Sequence, residues 1–389
     1  MKIAIFADTF FPSVDGVVSS IVSTAKSLEK QGHQVRFFVP KPVNLKEARR
    51  LAAGLDVVWV RSVGFFAYDA YRISSPTSWS AKKAFLDFKP DVVHVHTPFS
   101  LGWMGSRWAR RHRIPVVATY HTLIPEFLMY LPIPVFNKTR LAKFLTWRYT
   151  ELFYRRADVV TTPTQEMAVE LEKNGIPAKV LSNPIRFSLF NRFADSKRSS
   201  KLFSLVFFGR LSFEKNIEVL LEMLRLLLDR KLSVELVIVG SGPAEEFLKK
   251  TALELKVGSH VRFRGVLRDE QLALEVAKCH CMVTASTIET QGLTILEAMA
   301  AGVPCVGVDF LGIPNSVKEN ENGFLFPPGD PKTGADKVEK LFSSKTLQKN
   351  FSRKAIETAR PLSEESIVSQ YVGVYLAVVS GKKHPKAPK

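Results

Sequence analysis

Glu289 and Glu297 frame the run Glu289-Thr290-Gln291-Gly292-Leu293-Thr294-Ile295-Leu296-Glu297, in which polar residues give way to an apolar set. Glu289 falls in the polar loop part and Glu297 in the apolar part that follows. Leu293, Ile295, Leu296, Met299 and Ala300 have the spacing of a buried helix, so Gly292 marks a loop-to-helix junction. A helix beginning there turns unpaired N–H groups and its positive dipole end outward, a setting for phosphate or a hydroxyl. Gly302-Val303-Pro304 then ends the helix and leads into a strand, Cys305 to Val308. Taken alone, two glutamates more often amount to a solvated loop acid and an ordinary helix residue.

Cations of matching chemistry lie upstream. Arg210 and Lys215 bracket a strand-to-helix turn, Gly209 to Asn216, from which a forked guanidinium and a compact ammonium can reach one diphosphate. The alternative reading is two solvated side chains. His121 follows the strand Val116 to Tyr120 and can donate or accept a hydrogen bond at a reacting sugar, although a lone histidine is more often structural. His94 and His96 are assigned structural roles first. No Asp-x-Asp pair occurs, and no histidines show the i, i+4 spacing of a metalloprotease helix, so no metal is expected.

The elements that must position these residues alternate in type. Met1 to Asp8 is read as a first strand, Val17 to Gln31 as a helix and Val35 to Val39 as the next strand, a β-α-β unit of a parallel sheet. The turn between them has only Gly16, not the G-x-G-x-x-G of a dinucleotide site, but that glycine still permits close approach. Further β-rich runs fall at Asp56 to Val60, Asp91 to Val95, Pro115 to Thr119 and Asp158 to Thr162, with helices at Ser80 to Phe88 and Leu101 to His112. The alternation pauses at Asn183-Pro184, and Phe187 to Ser200 reads as a linker. It resumes with strands at Leu205 to Phe208, Val234 to Val239, Val261 to Phe263, Cys281 to Ala285 and Cys305 to Val308.

This predicts an α/β chain of two Rossmann-like domains. The first spans 1–184 and the second 185–365, followed by a helix at about 366–380 and a basic tail, 381–389. Gly16, His121, Arg210, Gly240, Glu289 and Gln291 all fall just after strands, where open parallel sheets bind ligands.

At 389 residues, 46% hydrophobic, the chain has enough apolar material for two cores. Its net charge of +18 favours phosphate-bearing partners: nucleic acid, anionic lipid or nucleotide. Cys279, Cys281 and Cys305 form no CxxC pair, and a reducing cytoplasm is the simplest setting. The apolar start is too short for a signal segment, and no run of about 18 apolar residues is present, so membrane contact is expected to be peripheral. Lys138, Arg140, Lys143, Phe144, Trp147 and Arg148 belong to a basic, aromatic helix, 138–156, of the kind that lies in a lipid interface. Phe65, Phe66, Tyr68, Tyr71 and Trp79 with Lys82 and Lys83 form a second candidate. A core helix with a solvated basic face explains the first equally well.

Together these pieces resemble the retaining glycosyltransferases of the two-Rossmann-domain GT-B type, in particular family 4, over nearly the whole chain. The Glu-x7-Glu spacing of Glu289 and Glu297, followed by Ala298 to Pro304, is the most specific element. Gly209-Arg210-Leu211 with Lys215, Val239-Gly240-Ser241-Gly242-Pro243, Phe263-Arg264-Gly265-Val266, Asn322-Gly323-Phe324-Leu325, Asp15-Gly16-Val17 and Thr119-Tyr120-His121-Thr122 accompany it.

The resemblance implies two domains facing a central cleft, with the helix at about 366–380 packing back on the first, and transfer of a hexose, UDP-glucose-like in donor, without metal or other cofactor. By the same resemblance Arg210 and Lys215 bind the donor diphosphate, Glu297 the nucleotide ribose, and Glu289 the hexose hydroxyls. The amides around Gln291, Gly292 and Leu293 support sugar and phosphate, Gly240 and Val266 line the donor side, Gly16 leaves room beside the phosphate, and His121 lies near the reaction centre. Leu181-Ser182-Asn183-Pro184-Ile185 departs from the Pro-Asn-Gly that many members carry there. The run His121 to Pro132 is similar to members that glycosylate diacylglycerol-type lipids, which implies a lipid acceptor and a peripheral place on the inner face of the plasma membrane. A soluble sugar, sugar-phosphate or inositol-type acceptor is the alternative. A non-catalytic nucleic-acid-binding protein is a more distant one, unsupported by any binding motif. Oligomeric state stays open.

Overall fold

The computed structural model describes residues 1–13, 16–64, 72–75, 77–121, 139–196 and 202–381. The chain forms two compact units, Met1–Pro184 with Glu365–Lys389, and Ile185–Glu364.

In the first unit the strands are β1 (Lys2–Phe6), β2 (Gln34–Pro40), β3 (Asp56–Val60), β4 (Ser62–Gly64), β5 (Arg72–Ser74), β6 (Val92–Val95), β7 (Val116–Thr119), β8 (Val159–Thr162) and β9 (Lys179–Val180). Seven of them form one sheet in the order β3-β2-β1-β6-β7-β8-β9, every pairing parallel. The apolar runs of β1, β6 and β7 are buried throughout or nearly so, as strands covered by helices on both faces must be. The short antiparallel hairpin β4-β5 was not legible in the sequence, since three residues per strand carry no periodic signal.

Phe6 centres the core beneath this sheet. Its ring stacks on Phe38 at 4.5 Å and meets Trp108 edge-on at 6.0 Å. Gly105, on the helix Ser100–Arg111, leaves the space for it, because a Cβ there would sit 2.6 Å from Phe6 Cγ. Gly105→Ala gains about 0.5–1 kcal/mol of helix propensity, yet overpacking costs about 1–3 kcal/mol. The variant is therefore expected to lower the urea midpoint at unchanged slope; a raised midpoint contradicts the packing described.

The second unit holds β10 (Phe203–Phe208), β11 (Val234–Val239), β12 (Val261–Phe263), β13 (Cys281–Thr284), β14 (Cys305–Val308) and β15 (Gly323–Phe326). Their order is β12-β11-β10-β13-β14-β15, again all parallel. The stretch read as an irregular linker contains a short helix, Phe187–Asn191, whose Phe187 and Phe190 are buried. Phe190 stacks on Phe208 at 6.1 Å, a long-range contact that stabilises a helix too short to persist alone. Cys279, Cys281 and Cys305 are buried thiols. No helix among the described residues is long and apolar enough to cross a membrane.

The helix Glu364–Val379 packs on the first unit. Its Tyr375 hydroxyl lies 2.7 Å from His94 Nδ1, and both residues are fully buried.

Candidate active site

In the second unit the loops after β10, β11, β12 and β13 are laced together at the carboxyl ends of the strands. Gly240 donates its amide to Gly265 at 2.8 Å, and Leu211 donates to Ser241 at 3.0 Å. Gly240 has φ 138, and a side chain there would collide with the Gly209 carbonyl, so only glycine fits. Asn216 adopts the left-handed conformation at φ 48 and donates its side-chain amide to the Ala285 carbonyl at 3.1 Å and the Thr287 hydroxyl at 3.3 Å. It thereby ties the Arg210–Lys215 loop to the loop bearing Glu289. The sequence reading missed Asn216, although an asparagine before an apolar helical run was an available signal.

Lys215 Nζ donates to Glu289 Oε1, and both side chains are about four-fifths buried. Burial pushes the Glu289 carboxyl up, but the Lys215 ammonium outweighs it and holds the group below the usual carboxylate range. Behind the pair, Gly312 donates its amide to the Glu289 carbonyl at 2.9 Å, and any side chain on Gly312 would strike the Thr290 carbonyl. Gly292, at φ 69, begins the helix Leu293–Ala300, whose first amides have no intrahelical acceptor. Gln291 is buried beside it, Arg210 is exposed, and Val266 is 54% exposed.

Glu297 is buried on that helix, with both carboxylate oxygens bound. Arg186 Nε donates to Oε1 at 2.7 Å and Nη2 to Oε2 at 3.0 Å. Arg186 is a residue the sequence reading did not find. Its partner lies more than a hundred positions away, beyond any local pattern.

The first unit gathers its own polar group at the carboxyl ends of β1, β6 and β7. Asp8, fully buried, accepts from Thr97 Oγ1 and Ser100 Oγ at 2.6 Å each and from the Leu101 amide at 2.8 Å, at the start of the helix Ser100–Arg111. His96 Nδ1 and His121 Nε2 are 2.8 Å apart, and the rings stack. Asn183 accepts from Ser20 Oγ at 3.0 Å. Burial lowers the His121 imidazole to about 4 and His94 to about 3, so both are neutral near pH 7. Gly16 is exposed at the start of the helix Gly16–Lys30.

The basic, aromatic helix is Arg140–Tyr154, with Lys138 outside the described residues. Arg140, Lys143, Phe144 and Arg148 are exposed, together with Leu141, Leu145 and Leu152. Trp147 corrects the sequence reading. It is buried, ring to ring with Tyr120 at 6.5 Å, because it falls on the face that packs against the sheet. Of the second aromatic candidate, 65–71 lies outside the described residues; Trp79 is 83% exposed beside exposed Lys82 and Lys83.

Two family profiles cover this arrangement: "Glycosyltransferase Family 4" over residues 14–188 and "Glycosyl transferases group 1" over residues 190–358. The alpha-monoglucosyldiacylglycerol synthase of Streptococcus pneumoniae is 30% identical over 84% of this chain and 75% of its own length.

The chain belongs to glycosyltransferase family 4.

This family 4 glycosyltransferase is an enzyme of the hexosyltransferase class. It is also similar to a GDP-mannose-dependent alpha-mannosyltransferase of Corynebacterium glutamicum, at 26% identity over 98% of this chain and 90% of that one. Among solved structures, Anabaena HepE in complex with UDP superposes with a TM-score of 0.76 at 18% identity, covering 97% of this chain and 99% of that one. Sucrose-phosphate synthase of Thermosynechococcus elongatus gives 0.76 at 19%, covering 98% and 100%. These neighbours establish the glycosyltransferase's GT-B fold. Membership in the family removes the non-catalytic nucleic-acid-binding alternative.

Proposed function

We propose that this glycosyltransferase moves a hexose, glucose by preference, from a UDP-linked donor to a diacylglycerol-type lipid at an anionic membrane surface, with retention and without a metal. On this reading Arg210 and Lys215 take the donor diphosphate, Glu289 the hexose hydroxyls and Glu297 the ribose. Charge develops on the leaving diphosphate, and the two cations with the amides at the start of the helix Leu293–Ala300 are the groups suited to stabilise it. Neutral His121 serves as a hydrogen-bonding partner near the sugar and not as a cation.

The observation that carries the lipid acceptor is the outer face of the helix Arg140–Tyr154. It exposes Leu141, Phe144, Leu145 and Leu152 among Arg140, Lys143 and Arg148. Apolar side chains that seat in the acyl boundary, bordered by cations for anionic headgroups, match a lipid surface. The name of the Streptococcus pneumoniae relative supports the same acceptor class. A cytoplasmic, peripheral location follows from the same reading.

The test is transfer in EDTA from UDP-glucose, UDP-galactose or GDP-mannose to diacylglycerol in vesicles or to soluble sugars, sugar phosphates and inositol, read by mass spectrometry. Glucosylated lipid is expected. Product only on a soluble acceptor overturns the lipid assignment, and activity that EDTA abolishes overturns metal independence. Phe144→Asp with Leu145→Asp is expected to release the protein from phosphatidylglycerol vesicles at low salt; retention equal to the parent counts against this face.

A further inference from the structure

Arg186 stands at the start of the second unit, far in sequence from the motif residues, and yet holds one of them. Its guanidinium meets the Glu297 carboxylate as a fork, Nε on one oxygen and Nη2 on the other. The fork is itself braced. The guanidinium carbon lies 5.2 Å from the Phe190 ring centroid, Nη1 is 3.9 Å from Asp269, and the adjacent Ile185 amide is bonded to the Leu362 carbonyl at 3.0 Å. Glu297 has only 8% of its side chain exposed, against 28% for Arg186. An ionised carboxylate so placed is costly without a partner.

A carboxylate offers about four lone-pair positions, and a forked guanidinium uses about two of them, one on each oxygen. Acceptor capacity therefore remains after Arg186 is bound. A lysine at this position supplies the charge without the planar fork, so it cannot fix the orientation of the carboxylate plane.

We propose that Arg186 is a positioning residue for nucleotide recognition, holding Glu297 by both oxygens so that its remaining acceptor sites are presented to a ribose hydroxyl. The inference rests on the reading that Glu297 takes the ribose. Arg186 itself does not touch the nucleotide.

Calorimetric titration with UDP and GDP, each beside its 2′-deoxy and 3′-deoxy counterparts, separates positioning from a general structural role. The parent protein is expected to prefer at least one ribonucleotide over a deoxy counterpart. Arg186→Met should weaken binding of that ribonucleotide about tenfold, the scale of one charge-assisted hydrogen bond, leave the deoxy form nearly unchanged, and so bring the ratio towards one. Arg186→Lys, which keeps the charge and protects against a variant that fails to fold, should shift the ratio in the same direction. Glu297→Gln is the reference for losing the ribose contact. If Glu297→Gln loses the discrimination and both Arg186 variants keep it, the inference is wrong while the ribose reading stands. If the parent protein shows no discrimination, or Glu297→Gln retains it, the ribose reading fails and the inference with it. Tighter ribonucleotide binding by Arg186→Met would mean that Arg186 blocks the site, which also overturns the proposal.

Discussion

Glu289→Ala is expected to lower hexose transfer by at least about a hundredfold, the scale of deleting one preorganised polar group from a reaction centre, while UDP affinity is kept or rises. The split follows from what the carboxylate does. In the structure Glu289 neutralises Lys215, and removing it leaves the ammonium with its full charge for the diphosphate. The hexose loses its acceptor at the same time. The loop itself should persist, because the Gly312 amide and the Asn216 side chain hold it independently of the carboxylate. Single-turnover transfer, nucleotide titration and circular dichroism on the one variant check all three statements. Transfer at the parent rate would remove Glu289 from the site.

The second large effect is acid lability of the first unit. His94, His96 and His121 are all buried, and burial lowers each imidazole, His94 to about 3 and His121 to about 4, with neighbouring histidines adding to the shift for His94 and His96. Below pH 6.5 the unfolded chain takes up protons on these side chains that the folded chain does not. Stability is therefore complete above the ordinary histidine value and declines as pH falls towards the folded values. Each histidine contributes about 1.4 kcal/mol per pH unit within that window, so three acting together remove up to about 4 kcal/mol per unit. Between pH 6.5 and 5 the loss amounts to about 6 kcal/mol, a large fraction of a typical stability of about 5–15 kcal/mol. Urea midpoints measured from pH 7.5 down to 5 should fall steeply, and His94→Gln should flatten the slope by about a third. A midpoint that does not move over this range contradicts the buried, neutral cluster.

Much of this architecture was written locally. The apolar runs of β1, β6, β10 and β11 and the helical spacing after each announce parallel β-α-β units, because strands buried on both faces must be apolar throughout. The junction at Gly292 was legible for the same kind of reason. A glycine that adopts positive φ, preceded by polar and followed by apolar residues, is a helix start whatever surrounds it. Periodicity also located the helix Arg140–Tyr154, but it could not separate Phe144, which is exposed, from Trp147, which is buried. Both are aromatic, and only the position of Tyr120 on the neighbouring sheet decides which ring turns inward.

By itself, then, the sequence determined the fold class, the loops at the carboxyl ends of the strands and the Glu289–Glu297 stretch, since each depends on residues adjacent in the chain. Only the tertiary structure decided that Lys215 pairs with Glu289, that Arg186 grips both oxygens of Glu297, and that His121 faces His96. Those contacts join residues 25 to 111 positions apart. A hydrogen bond or ion pair forms only where folding brings two groups within about 3 Å in the right orientation, and no one-dimensional pattern encodes that approach.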